Sequence, residues 1–237
     1  MPGYIARLSC RVILFDLDGV LVDSDASVEE TWRMWAARHG LDAAAIVRVA
    51  QGRRALDTVR LVAPHLDAEH EVAELTAYEA HATTGLAAAP GARVLVEQLP
   101  PAAWAVVTSG VRAVAEHRLR FVGLPVPRVM VCAEDVAHGK PDPEGYLAAA
   151  ARCGAPPAEC VVIDDAPAGL EAARGAGMRA IAVASKHPLD ARCKVEVIVK
   201  NLASVAVHVA ATGAAAQRLL VEASGWQLDA PGPGSGQ

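Results

Sequence analysis

The chain has 237 residues, 53% apolar, 21% charged and only 4% aromatic, with a net charge of −5. That is enough apolar material for one large core or two modest ones, and the acidic balance argues against nucleic acid or an anionic membrane as partner. Five scattered cysteines (Cys10, Cys132, Cys153, Cys160, Cys193) make no Cys-x-x-Cys pair, so neither a zinc site nor a disulfide framework is expected.

Residues 12–15 read Val-Ile-Leu-Phe, a short apolar run of the kind covered on both faces in a parallel sheet. The run ends in Asp16 and Asp18, and Gly19 permits a sharp turn. Residues 27–39 read as a helix with Val28, Trp32, Trp35 and Ala36 on one face, stopped at Gly40. Residues 42–62 and 68–83 also read as helices, with Pro64 between them. The stretch 25–87 is therefore predicted to be an inserted helical cap, and 86–93 the linker that returns from it.

Beyond the linker the pattern alternates. Strands are expected at 102–110, 127–135, 160–169 and 179–185, helices at 111–121, 143–153 and 168–174, and an edge strand at 195–201. This order predicts an α/β fold: a doubly wound, Rossmann-like parallel sheet formed by 10–24 and 88–212, carrying the cap. The Gly- and Pro-rich stretch 225–237 is expected to be a disordered tail. No secretory leader or bilayer span is legible, so a cytoplasmic protein is expected; oligomeric state is not readable from the residues, and a monomer is the default expectation.

Two apolar strands end in acids, "FDLDG" and "IDDAPAG". Side by side, they would bring Asp16, Asp18, Asp164 and Asp165 together at the sheet edge where open α/β folds bind ligands. Four like charges raise one another's pKa. A hard divalent cation relieves this, and oxygen ligands beside a phosphate favour Mg²⁺. The plain alternative is that these acids cap helices or turns. "VVTSG" adds Thr108, Ser109 and Gly110 at a helix start, suited to a phosphate or to ordinary capping. "HGKPDPEGY" holds Lys140 between Gly139 and Pro141, in a stiff loop that can aim the lysine at an anion; a solvated surface lysine is the alternative.

Taken in order, "FDLDGVLVDS", "VVTSG", "GKPDPEGY" and "VVIDDAPAGLEAA" resemble the four motifs of the haloacid dehalogenase-like hydrolase superfamily. The insertion resembles the small helical cap of its phosphatase and phosphomutase branch, and the motif surroundings are most similar to sugar- and polyol-phosphate phosphatases. The resemblance implies that Asp16 attacks phosphorus to give an aspartyl-phosphate and that Asp18 is the general acid and base. It implies that Thr108 and Lys140 hold phosphate oxygens, with Ser109 and Gly110 beside them. It also implies that Asp16, the Asp18 carbonyl, Asp164 and Asp165 surround Mg²⁺. The substrate implied is a small phosphorylated sugar or polyol.

Asp18 argues against the dehalogenase branch, which lacks an acid there. Phosphomutases of the β-phosphoglucomutase type carry a cap histidine and arginine where this chain has Val28 and Ala55. Arg54, in "QGRRALD", is either a substrate-binding arginine of the glycerol-phosphatase kind or a solvated helix charge. A phosphomutase and a non-catalytic binding protein on the same scaffold remain as alternatives. "GAGMRA" (175–180) follows a helix and enters a strand, so it reads as a helix stop and not as a dinucleotide fingerprint.

Overall fold

The structure, a computed structural model, describes residues 4–184, 189, 193–210 and 218–227. Strand β1 (Tyr4–Cys10) leads into β2 (Val12–Phe15), whose four side chains are all buried, and then a short β3 (Val22–Asp23). Four helices follow: α1 (Asp25–His39), α2 (Ala43–Ala50), α3 (Ala55–Val62) and α4 (Ala68–Glu79). The chain returns through β4 (Ala87–Ala88), which pairs antiparallel with β3. Then come α5 (Ala92–Gln98), β5 (Trp104–Val107), α6 (Arg112–Phe121), β6 (Met130–Val131) and α7 (Glu144–Arg152). The remainder is β7 (Cys160–Asp164), α8 (Pro167–Gly175), β8 (Arg179–Val183), β9 (Val197–Val199), β10 (Val205–Ala210) and β11 (Arg218–Gly225).

Among the described residues, six parallel strands run in the order β6-β5-β2-β7-β8-β9. This is the doubly wound sheet expected from the alternating pattern. Successive side chains of a strand point to opposite faces. Ile13 and Phe15 accordingly join one core and Val12 and Leu14 the other. Phe15 meets Trp104 edge-to-face at 6.2 Å. Tyr146 and Leu170, from α7 and α8, cover the second face.

Helices α1–α4 enclose a core of their own around Trp32, Trp35, Ile46, Val59 and Leu75. Trp32 and Trp35 pack edge-to-face at 5.6 Å, and the Trp35 indole N–H donates to Glu71 at 2.7 Å. Asp42 and Asp67 cap α2 and α4 by accepting backbone N–H groups. Gly40 ends α1 in a left-handed conformation, as expected.

Four expectations need correction. The helix expected over 42–62 is broken at 51–54, where Gly52 has a φ of 67°. The strand expected at 127–135 is only Met130–Val131, followed by a 3-10 turn at Ala133–Asp135. The linker 86–93 contains β4 and the start of α5. Strands β1, β11 and β10 form a separate antiparallel sheet that was not anticipated, so 4–9 and 218–225 belong with the core side of the molecule.

The expected tail boundary at 225 is also too early. Gly225 pairs with Tyr4, and the Trp226 N–H donates to the Ile198 carbonyl at 2.9 Å. Residues 228–237 lie outside the described residues, as do 185, 211 and 212. Among the described residues no helix is long and apolar enough to cross a membrane. Cys10, Cys132 and Cys160 are buried in the core, and burial pushes the Cys10 and Cys132 thiols up to about 12 and that of Cys160 to about 11.

Candidate active site

Strands β2 and β7 are neighbours in register, with Phe15 opposite Ile163, so their C-terminal ends meet. The Asp16 N–H donates to the Ile163 carbonyl at 2.9 Å, which locks the first acid beside the second pair. Asp16, Asp164 and Asp165 are all buried, and a carboxylate oxygen from each lies within 4.8 Å of the others. Two glycines permit this crowding. A Cβ on Gly19, which has a φ of 80°, would sit 2.5 Å from Asp165 Oδ2. A Cβ on Gly169 would sit 1.9 Å from Asp164 Oδ2.

Lys140 is drawn into the same cluster. Its Nζ lies 2.8 Å from Asp16 Oδ1 and 2.8 Å from Asp164 Oδ2, and its side chain is only 6% exposed. A solvated surface lysine is thereby ruled out. Burial works against its charge, but Asp16 and Asp164 outweigh burial and hold its pKa well above the ordinary value. Burial pushes the Asp16 carboxyl up to about 7, against the pull of Lys140 and with a further push from Asp164 and Asp18. Burial, then Asp164 and Asp16, raise Asp165 as well. One lysine against three buried carboxylates leaves the set short of positive charge. A hard divalent cation among these oxygens fits that deficit.

Asp164 is further fixed by the Tyr146 hydroxyl, which donates to Oδ2 at 2.5 Å, and by the Ala166 N–H, which donates to Oδ1 at 2.9 Å. Both its oxygens are thus engaged. Asp18 stands apart from the carboxylate cluster: its Oδ1 accepts from Ser24 Oγ at 2.6 Å and from Arg118 Nη1 at 2.7 Å. Its side chain is therefore no part of the candidate metal cluster.

A cavity of about 310 Å³ lies between the sheet edge and helices α1–α4. Asp16, Asp18, Thr108, Ser109 and Gly110 line its floor, and Trp32, Val28, Ala55 and Glu79 line its other walls. Thr108 follows β5, and its Oγ1 accepts from the Gly110 N–H at 3.0 Å. Ser109 Oγ donates to the Gly52 carbonyl at 2.8 Å, so its hydroxyl joins the core to the loop between α2 and α3.

Arg54 is neither the substrate ligand nor the solvated charge that the sequence suggested. Its guanidinium forms a fork with Asp57 and donates to the carbonyls of Ala133, Val136 and Ala137. Five acceptors outside the cavity consume its donors, and it is Arg53 that lines the cavity. Tyr78 is exposed, and the cavity-facing residue next to it is Glu79.

Sequence reasoning missed Tyr146, Ser24, Glu79 and Arg118. A signal existed for Arg118: it shares a helix face with Val114, Ala115 and Leu119, all buried, which is an unusual place for a charge. Glu79 continues the line of Glu71 and Leu75 at four-residue steps along α4.

Known proteins resemble most of this chain. The family model for haloacid dehalogenase-like hydrolases matches residues 10–177. Hexitol phosphatase A of Escherichia coli (strain K12) is 40% identical over 205 residues, covering 84% of this chain and 95% of that protein. Validoxylamine A 7′-phosphate phosphatase of Streptomyces hygroscopicus subsp. limoneus is 37% identical over 207 residues, covering 82% and 95%. The crystal structure of a hydrolase from Pseudomonas syringae superposes with a TM-score of 0.72 at 26% identity, covering 81% of this chain and 94% of that one. The matched segment begins just before the strand that delivers Asp16 and ends just after the helix that follows Asp165, and on that ground the chain belongs to the haloacid dehalogenase-like hydrolases.

Proposed function

We propose that the chain is a phosphoric monoester hydrolase that removes phosphate from a small sugar or polyol phosphate, with Mg²⁺ as its cofactor. The hexitol and validoxylamine phosphatases among its relatives support this substrate class. The observation that carries the proposal is the convergence of Asp16, Asp164 and Asp165 with buried Lys140 under a cavity that Asp18 and Thr108 also line.

Asp16 attacks phosphorus as the ester oxygen departs, and the aspartyl-phosphate so formed is then hydrolysed. Asp18 gives its proton to the departing alkoxide and takes one from the attacking water. Thr108, the amides of Ser109 and Gly110, and Lys140 offset negative charge on the transferring phosphoryl group. Asp16, Asp165 and the Asp18 carbonyl would hold the metal directly. The hydrogen bonds already on both Asp164 oxygens support a water-mediated part for that residue. A bound Mg²⁺ supplies charge stabilisation for the phosphoryl oxygens.

Hydrolysis is favoured over a mutase reaction. The two positions where mutases carry cap polar groups are Val28 and Ala55, and both present apolar side chains to the cavity. The intact acid and lysine set argues against a non-catalytic scaffold. A cytoplasmic monomer completes the proposal.

The test is release of inorganic phosphate from a panel of phosphorylated sugars and polyols with Mg²⁺, with and without chelator. Rapid chelator-sensitive release from a polyol or sugar phosphate is expected. An isomeric phosphate ester as product, or no turnover of any ester, overturns the proposal.

A further inference from the structure

Arg118 is 2% exposed in α6, and its guanidinium joins two parts of the molecule. Nη1 donates to Asp18 Oδ1 at 2.7 Å, and Nη2 donates to Glu79 Oε1 at 2.8 Å. Glu79 is the last residue of α4, where the chain leaves the helical cap. Ser24, the other donor to Asp18 Oδ1, stands immediately before α1, where the chain enters the cap. His117, next to Arg118, bonds the Ala82 carbonyl at 2.7 Å in the exit segment. Asp18 is therefore held from both crossings between core and cap.

This triad is a poor device for stability alone. Buried ion pairs seldom repay their desolvation against an apolar replacement. Arg118 Nε, moreover, is buried with no hydrogen-bond partner. An unpaired buried donor calls for an explanation other than packing. Both hydrogen bonds to Asp18 end on Oδ1, which leaves Oδ2 as the oxygen for proton transfer in the cavity that Asp18 lines.

We infer that Arg118 is a positioning residue that aims the Asp18 carboxyl at the leaving oxygen, and that Glu79 makes this aim depend on the seating of the cap. The inference rests on the proposed hydrolysis and deepens it. Its consequence is selective. An alkoxide leaving a polyol phosphate needs a proton in the transition state, whereas p-nitrophenolate does not. kcat/KM reports steps only through departure of the leaving group, so the two esters separate acid positioning from roles in holding phosphate or metal. The double variant Arg118→Gln/Asp18→Asn separates it from binding of the hexitol hydroxyls by cavity-lining residues, because only a positioning role makes the two losses non-additive.

The experiment compares kcat/KM of the full chain for a hexitol phosphate and for p-nitrophenyl phosphate, with Mg²⁺, in Arg118→Gln, Arg118→Lys, Glu79→Gln and Asp18→Asn. Arg118→Gln is expected to lose about 100-fold or more on the hexitol ester and less than about 10-fold on the nitrophenyl ester, the pattern of Asp18→Asn. Glu79→Gln is expected to lose about 10-fold on the hexitol ester alone, and Arg118→Lys to recover part of the loss seen with Arg118→Gln. Equal losses on the two esters, or none, overturn the inference. If melting shows that Arg118→Gln does not fold, Glu79→Gln and Arg118→Lys decide by the same comparison. A wild-type chain that releases phosphate from neither ester overturns the proposed hydrolysis itself. A wild type active on both, with variants that do not discriminate between them, sinks only the part assigned to Arg118.

Discussion

Lys140 and Asp16 are 124 residues apart in the chain and form a buried ion pair of 2.8 Å. Asp164 shares the same ammonium at 2.8 Å. Replacing Lys140 with Met strands two buried carboxylates, which costs roughly 3–5 kcal/mol by analogy with other broken buried pairs. A lower melting temperature together with an activity loss of about 100-fold or more is expected. A variant that melts like the wild type in thermal unfolding would contradict the pairing.

Asp16→Asn keeps the side-chain shape and removes one negative charge from the cluster. Phosphate release should fall by about 10⁴-fold or more, as for loss of other nucleophiles. Its melting temperature should not fall, since repulsion with Asp164 and Asp165 is relieved. Acid quenching during turnover should trap protein-bound phosphate in the wild type and none in the variant. Retained turnover would remove Asp16 from the nucleophile's place.

Arg54 and Arg53 should separate cleanly. Arg54→Ala leaves the carbonyls of Ala133, Val136 and Ala137 without their donor. Stability should fall by roughly 1–3 kcal/mol. Arg53→Ala should stay within about 0.5 kcal/mol of the wild type and raise KM instead, because Arg53 lines the cavity. The reverse pattern in melting and kinetics would return Arg54 to the substrate site.

Glu71 ties α1 to α4 through the Trp35 indole at 2.7 Å and His39 at 3.0 Å. Burial works to raise its pKa, but the hydrogen bonds from Trp35 and His39, with the nearby charges of His39 and His70, leave it below the ordinary 4.5. The folded state thus prefers the ionised form. Its contribution is complete above 4.5 and is lost as pH falls below that value through the folded pKa. The melting temperature of the wild type should exceed that of Glu71→Gln at neutral pH, and the gap should close below 4.5. A gap independent of pH would show that the hydrogen bonds, and not the charge, carry the effect.

The acids were legible because aspartates at strand ends interrupt apolar runs: "VILFD" and "VVID" announce both a buried strand and its exit. Strand-helix alternation fixed the class of fold for the same reason, since local periodicity reports burial. Pairing with distant segments is a different matter. Strands β1 and β11 alternate buried and exposed residues, but they pair across more than 200 residues of chain, Tyr4 opposite Gly225, and their buried face is covered by the main core. The break at Gly52 hides inside a run of good helix formers.

Side-chain direction was equally beyond one-dimensional reading. Adjacent arginines look alike in "GRR", yet Arg54 points into a ring of carbonyls and Arg53 lines the cavity. Arg118 joins Asp18, 100 residues before it, to Glu79, 39 residues before it. The amino-acid order alone marked the acidic strand ends, the Thr108 turn and the Lys140 loop as the candidate groups, because residue types and spacing along each segment are local. Only the folded chain decided which of them meet, because ion pairing and burial depend on distances in space that separation along the chain does not encode.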